Sequence, residues 1–261
     1  MNVFILTDIE GIDTVLSMDY VRSSKEEYQI ACRGLEKSIN LATEACLKAG
    51  AETVYYLDAH GGGGNVAEEN IDSRAIKCTL DQWEELLQAG KIDCQIELGA
   101  HARAGTIDGF LDHTVSSSEF FTYKVNGVEM SELSLHALVC AAYGVPVVAC
   151  TGDETVCNQS REYIPEIYTA AVKKASGRNS ATRYENADTI LSQTIFEAVK
   201  NYKNVPCYPI TGPATVELTF YRTDMCENVY AICKDFATRV DARTLYREVP
   251  AVTSYADLRF W

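Results

Sequence analysis

Three short strand-like segments, each ending at an acid or an imidazole, constrain this chain more than any other feature. Val3 to Leu6 runs into Asp8 and Glu10, Thr53 to Leu57 into Asp58 and His60, and Cys94 to Leu98 into His101. The first is a continuous apolar run, which suits a parallel strand covered on both faces. Between the first two, Ala31, Leu35, Ile39, Ala42 and Cys46 recur at helical intervals until Gly50. Ser23 and Ser24 precede Glu26 and Glu27 at capping-box spacing, which predicts the start of that helix. An amphipathic segment from Leu80 to Leu87 supplies the next crossover. The order βαβαβ predicts an α/β fold with a mainly parallel sheet flanked by helices.

Further along, Phe120 to Val128 reads as a hairpin turning at Asn126-Gly127. A helix is expected from near Ser131 through Leu135, Leu138 and Val139 to Gly144, followed by a buried strand from Val145 to Cys150. A soft boundary after Asp153 divides the chain into a metal-binding α/β portion, 1–153, and a smaller α+β C-terminal portion, 154–261, packed with it as one unit. The second portion carries a helical pattern from Asn186 through Leu191, Ile195 and Val199. Strands are expected at Ala214 to Tyr221 and Arg239 to Arg247.

Charge removes whole classes of partner. The 261 residues carry 23 Lys and Arg against 37 Asp and Glu, a formal charge of −14. Nucleic acid and anionic membrane surfaces both require clustered basic residues, and no basic stripe is present. The apolar N-terminal run is too short for a signal or membrane segment and lacks a basic region before it, so a cytoplasmic location is expected. The 10 cysteines include no C-x-x-C pair and sit in apolar surroundings, which fits reduced core thiols.

In an open α/β sheet the loops beyond the carboxyl ends of the strands converge. Asp8 and Glu10 alternate along an extended segment and point the same way. Taken alone, D-x-E is more readily a solvated loop with two chance acids. Three successive strands ending in metal-competent residues, in a chain with four histidines, make coincidence the less economical account. Glu132 sits at the start of the Ser131 helix, where an acid also suits the helix dipole. Asp8, Glu10, His60, His101 and Glu132 exceed what one tetrahedral zinc with an open position can use. Three gathered carboxylates also repel one another unless two divalent cations neutralise them.

His113 is a candidate proton shuttle or nucleophile beside these residues, because its ordinary pKa lies near neutrality. His136, among Leu135, Ala137 and Leu138, reads as a structural helix residue. The run Gly61 to Gly64 lacks the G-K-[ST] ending of a phosphate loop and is expected to let backbone pass close to a metal or substrate.

Several stretches together resemble the DppA-type zinc D-aminopeptidase family: Asp8-Ile9-Glu10-Gly11, Asp58-Ala59-His60, Gly99 to Ala104, Asp112-His113, Ser131-Glu132-Leu133, Val145-Pro146-Val147 with Gly152-Asp153, and Thr169 to Lys173. The resemblance implies a dinuclear zinc centre bridged by Asp8, with Glu10 and His60 on one metal and His101 and Glu132 on the other. It implies that His113 is the catalytic histidine and that the chain assembles as a ring-like homo-oligomer. The departures are Leu6 in place of a serine, the glycine run after His60, and His136 in place of a small amide residue.

The function expected from the residues and the resemblance is metal-assisted hydrolysis of the N-terminal amide bond of short peptides, with D-residues such as D-alanine at the N-terminus. A two-metal phosphoesterase could use the same ligand set, although Arg103 is the one arginine in reach. A non-catalytic metal-binding assembly protein would leave His113 without a purpose.

Overall fold

The computed structural model describes residues 1–209 and 212–261. The three strand-like segments form β1 (Asn2–Thr7), β2 (Thr53–Asp58) and β4 (Cys94–Ala100), with α1 (Glu27–Lys48), a short β3 (Ala75–Lys77) and α2 (Leu80–Gln88) between them. Next come β5 (Phe120–Val125), β6 (Val128–Glu129), α3 (Glu132–Ala142), β7 (Val147–Asp153), α4 (Glu154–Tyr163), β8 (Tyr168–Gly177) and β9 (Ser180–Arg183). The chain ends with α5 (Ala187–Lys200), β10 (Ala214–Phe220), α6 (Thr223–Cys233), β11 (Thr238–Arg239) and β12 (Thr244–Val249).

The larger sheet has the order β3-β2-β1-β4-β7-β8-β9. Its neighbours are parallel up to β8, and β9 alone runs antiparallel at the edge. Central position explains the burial of these strands: Val3, Phe4 and Ile5 are fully buried, as are Ile96 and Val148, and Gln95 and Glu97 of β4 are buried with them. The smaller sheet, β11-β12-β10-β5-β6, is antiparallel. The mainly parallel α/β fold with its helices is therefore present. Each sheet takes strands from both sides of position 153, since β8 and β9 extend the first sheet while β5 and β6 belong to the second.

Local chemistry accounts for most boundaries. Asn126 and Gly127 take φ of 52° and 77°, the left-handed pair that a two-residue hairpin turn requires. Helix α3 begins with Ser131 accepting from the Ser134 amide and Ser134 reciprocating, and Thr79 with Gln82 does the same for α2. The capping box expected at Ser23 and Ser24 does not form, and α1 starts at Glu27 with no side-chain cap. Turn hydrogen bonds from Lys25 to Arg22 and from Gln29 to Glu26 already engage the backbone there. The single strand expected over Arg239 to Arg247 is instead split into β11 and β12, because the Asp241 carboxylate accepts the Arg243 amide and closes a turn.

No helix among the described residues is long and apolar enough to cross a membrane. All ten cysteines are unpaired, and nine are buried.

Candidate metal centre

Strands β1, β2 and β4 are neighbours with Thr7 opposite both Asp58 and Leu98, so their carboxyl ends finish side by side. Asp8, His60 and His101 follow directly. Close packing of these exits depends on glycine. Gly99 has φ of 79°, and a Cβ there would lie 2.1 Å from the Asp8 carbonyl oxygen; a Cβ on Gly11 would lie 2.1 Å from the Ala100 carbonyl oxygen. Glu132 enters from above as the first residue of α3, one position after its Ser131 cap.

All five sequence-identified donors meet, together with His113. One oxygen of Asp8 lies 3.0 Å from His60 Nδ1 and the other 3.2 Å from His101 Nε2. Glu10 Oε2 is 2.9 Å from His60 Nδ1, and Glu132 Oε1 is 3.2 Å from His101 Nε2. The donor atoms of Asp8, Glu10 and His60 lie within 4.8 Å of one another, as do those of His101, His113 and Glu132. Asp8 links the two groups.

Several donors converge without satisfying one another. Glu10 Oε2 and His101 Nε2 are buried and have no hydrogen-bond partner, although each has a charged neighbour at contact distance. Buried polar atoms left this way are costly, and a shared cation is the simplest partner for both. A set of three carboxylates and two imidazoles fits divalent transition metals, zinc among them.

The electrostatics follow from the crowding. Burial opposes ionisation of Asp8, yet the adjoining His101 and His60 imidazoles hold its carboxyl well below the usual range. Burial and the Asp8 charge together push Glu10 up. Burial likewise opposes ionisation of Glu132, and His101 holds it down to about 2. Burial works against charged imidazoles, but Asp8 and Glu10 raise His60 to about 11, while Glu132 and Asp8 raise His101 well above its ordinary value. Without a cation, protons take its place.

His113 stacks on His101 with ring centroids 3.9 Å apart and planes 8° from parallel. Its Nδ1 lies 2.8 Å from the Leu111 carbonyl oxygen, and its Nε2 lies 3.6 Å from Glu132. The Nδ1 contact to a carbonyl requires a proton on that nitrogen and leaves Nε2 to exchange one. The loop holding it is strained, with Asp108, Leu111 and Val115 at φ of 55°, 48° and 66°. Asp112 points away to Arg178, 3.0 Å distant, and accepts the Gly105 amide.

Two contributions were missed by sequence reasoning. Lys173 on β8 is fully buried and donates to the carbonyl oxygens of Glu10, Ile12 and Val15, which shapes the turn after the metal-facing acids. Burial pushes its ammonium down to about 7, against the pull of Asp153 and Glu10. His136 is more than a helix-packing residue. It sits 3.3 Å from Glu97 and lines, with Glu132, a cavity of about 620 Å³ walled on another side by the Gly61 to Gly64 run.

The chain is similar in sequence and in fold to known proteins. The curated D-aminopeptidase of Bacillus subtilis (strain 168) is 27% identical over 218 residues, covering 82% of this chain and 78% of that protein. Among solved structures, the Zn-dependent D-aminopeptidase DppA from Bacillus subtilis, a self-compartmentalizing protease, has the same fold. Its TM-score is 0.91 at 21% identity, over 98% of this chain and 95% of that one. Neither the phosphoesterase nor the non-catalytic alternative is favoured by these matches. The sequence model of the D-aminopeptidase family matches residues 1–258, and the chain belongs to that family.

Proposed function

We propose that the chain is a zinc-dependent aminopeptidase that releases N-terminal D-residues such as D-alanine from short peptides, using two cations held by Asp8, Glu10, His60, His101 and Glu132. The observation that carries this is the position of Asp8, whose two carboxylate oxygens face imidazoles of different donor groups. In this reading Asp8 would be shared between the two cations, with Glu10 and His60 holding one and His101 and Glu132 the other. Zinc in these sites supplies Lewis acidity and makes water a competent nucleophile at neutral pH.

The chain's own residues do the rest. Glu10 and Glu132 balance the charge of the cations and orient the imidazoles. The Leu111 carbonyl fixes the His113 tautomer, so that Nε2 can carry a proton to the leaving amine. The Gly61 to Gly64 backbone and His136 bound the space beside Glu132 where the peptide lies. The self-compartmentalizing relative supports a homo-oligomer, ring-like in this reading, and the reading places it in the cytoplasm.

Hydrolysis of D-alanyl-p-nitroanilide tests the reaction. Activity that a chelator abolishes, that added zinc restores and that the L-isomer does not elicit is the expected result. Activity that survives chelation, or that is equal on both isomers, contradicts it.

A further inference from the structure

We propose that Arg259 forms a carboxylate-binding subsite in the cavity beside Glu132, so that the enzyme is selective for short peptides with a free C-terminal carboxylate. The proposal rests on the aminopeptidase reading above and adds the substrate's other end.

The cavity of about 620 Å³ is lined by Glu132 and His136 and also by Lys77, Tyr255 and Arg259. Its size lies within the roughly 300–1,000 Å³ usual for small-molecule sites. Lys77 is engaged by Glu68 at 2.8 Å. Arg259 is different. Among the described residues its guanidinium makes no ion pair and no hydrogen bond, and its Nε is buried without a partner. In a chain with 37 acids and 23 basic residues, an arginine left without an anion inside a cavity is a site prepared for one.

The guanidinium is also held in place. It stacks over Tyr255 at 4.5 Å, and the Tyr255 ring lies 5.5 Å from that of His136. The backbone around Arg259 is extended, with Leu258 and Phe260 fully buried on either side, and Arg247 donates to the Arg259 carbonyl oxygen at 2.6 Å. A fixed planar fork of donors matches a carboxylate in two parallel hydrogen bonds. The cavity therefore joins Glu132 of the metal centre to an unpaired guanidinium in one lining, so that a peptide whose amine end lies at the metal centre can offer its acid end to Arg259.

D-alanyl-D-alanine and D-alanyl-D-alaninamide differ only in the terminal carboxylate. With zinc-loaded wild-type enzyme, kcat/KM is expected to be at least about tenfold higher for the acid, mostly through KM. In Arg259→Gln the acid-to-amide ratio is expected to fall towards one, and Arg259→Lys is expected to recover part of it. A wild-type ratio near one overturns the proposal without any variant. A Gln variant that loses activity equally on both substrates overturns it too, because that marks a structural residue. Wild-type enzyme inactive on both peptides defeats the aminopeptidase reading and this proposal with it, whereas activity on both with no preference defeats Arg259 alone.

Discussion

Asp8 presents one oxygen to His60 and the other to His101, and the protonation of those imidazoles sets how the site takes up metal. His60 is raised from 6.5 to about 11, so the stability its charge contributes is fully present below 6.5 and is lost as pH rises towards 11. Glu132 is lowered from 4.5 to about 2, so its contribution is present above 4.5 and is lost as pH falls through 2. A metal ligand must be unprotonated. Zinc uptake by the metal-free protein at pH 7.5 is therefore expected to release protons, and zinc affinity to rise with pH. Calorimetric titration in two buffers of different ionisation enthalpy measures this, and identical heats in both would count against the protonated cluster. Four of the five donors were legible because they stand at the ends of apolar strands. Glu132 was weaker in the sequence, since a first-turn acid has an ordinary helix-dipole role. Arg259 was not legible at all, because its lack of a partner is a property of folded surroundings.

The elements show how the loops are locked around those residues. Lys173 lies 158 to 163 positions from the carbonyls it joins, so β8 ties down the turn from Glu10 to Val15. A lysine after Val172 in the sequence carries no mark of that role, although the stretch Thr169 to Lys173 is part of the family resemblance. Lys173→Met would leave three buried carbonyl oxygens without their donor, at a cost of about 1–3 kcal/mol for each one not reached by water. The variant is expected to lower the unfolding midpoint in denaturant and to weaken zinc retention together. Loss of neither would mean that the Glu10 turn holds its shape unaided. Strands β1, β2 and β4 and helices α2 and α3 were readable from the spacing of their apolar residues. The start of α1 was not, because backbone turns at residues 22–29 displaced the serine cap.

At the scale of the whole molecule, the parallel sheet brings residues 8, 60 and 101 to one edge, and α3 closes it with residue 132. The order of elements predicted this sheet, but not the exchange of strands across position 153, which depends on pairings between β5 and β10 and between β7 and β8. We propose that 1–153 and 154–261 consequently fold as one cooperative unit rather than as separable halves. Metal content per chain, measured by inductively coupled plasma mass spectrometry on protein never exposed to chelator, tests the twin-cation centre most directly. The wild type is expected to carry two zinc ions, one for each donor group, with Asp8→Asn losing both and His113→Gln keeping both while turnover falls by about 10²–10⁴. A wild-type chain without transition metal, or an Asp8→Asn chain that keeps its full complement, would contradict it.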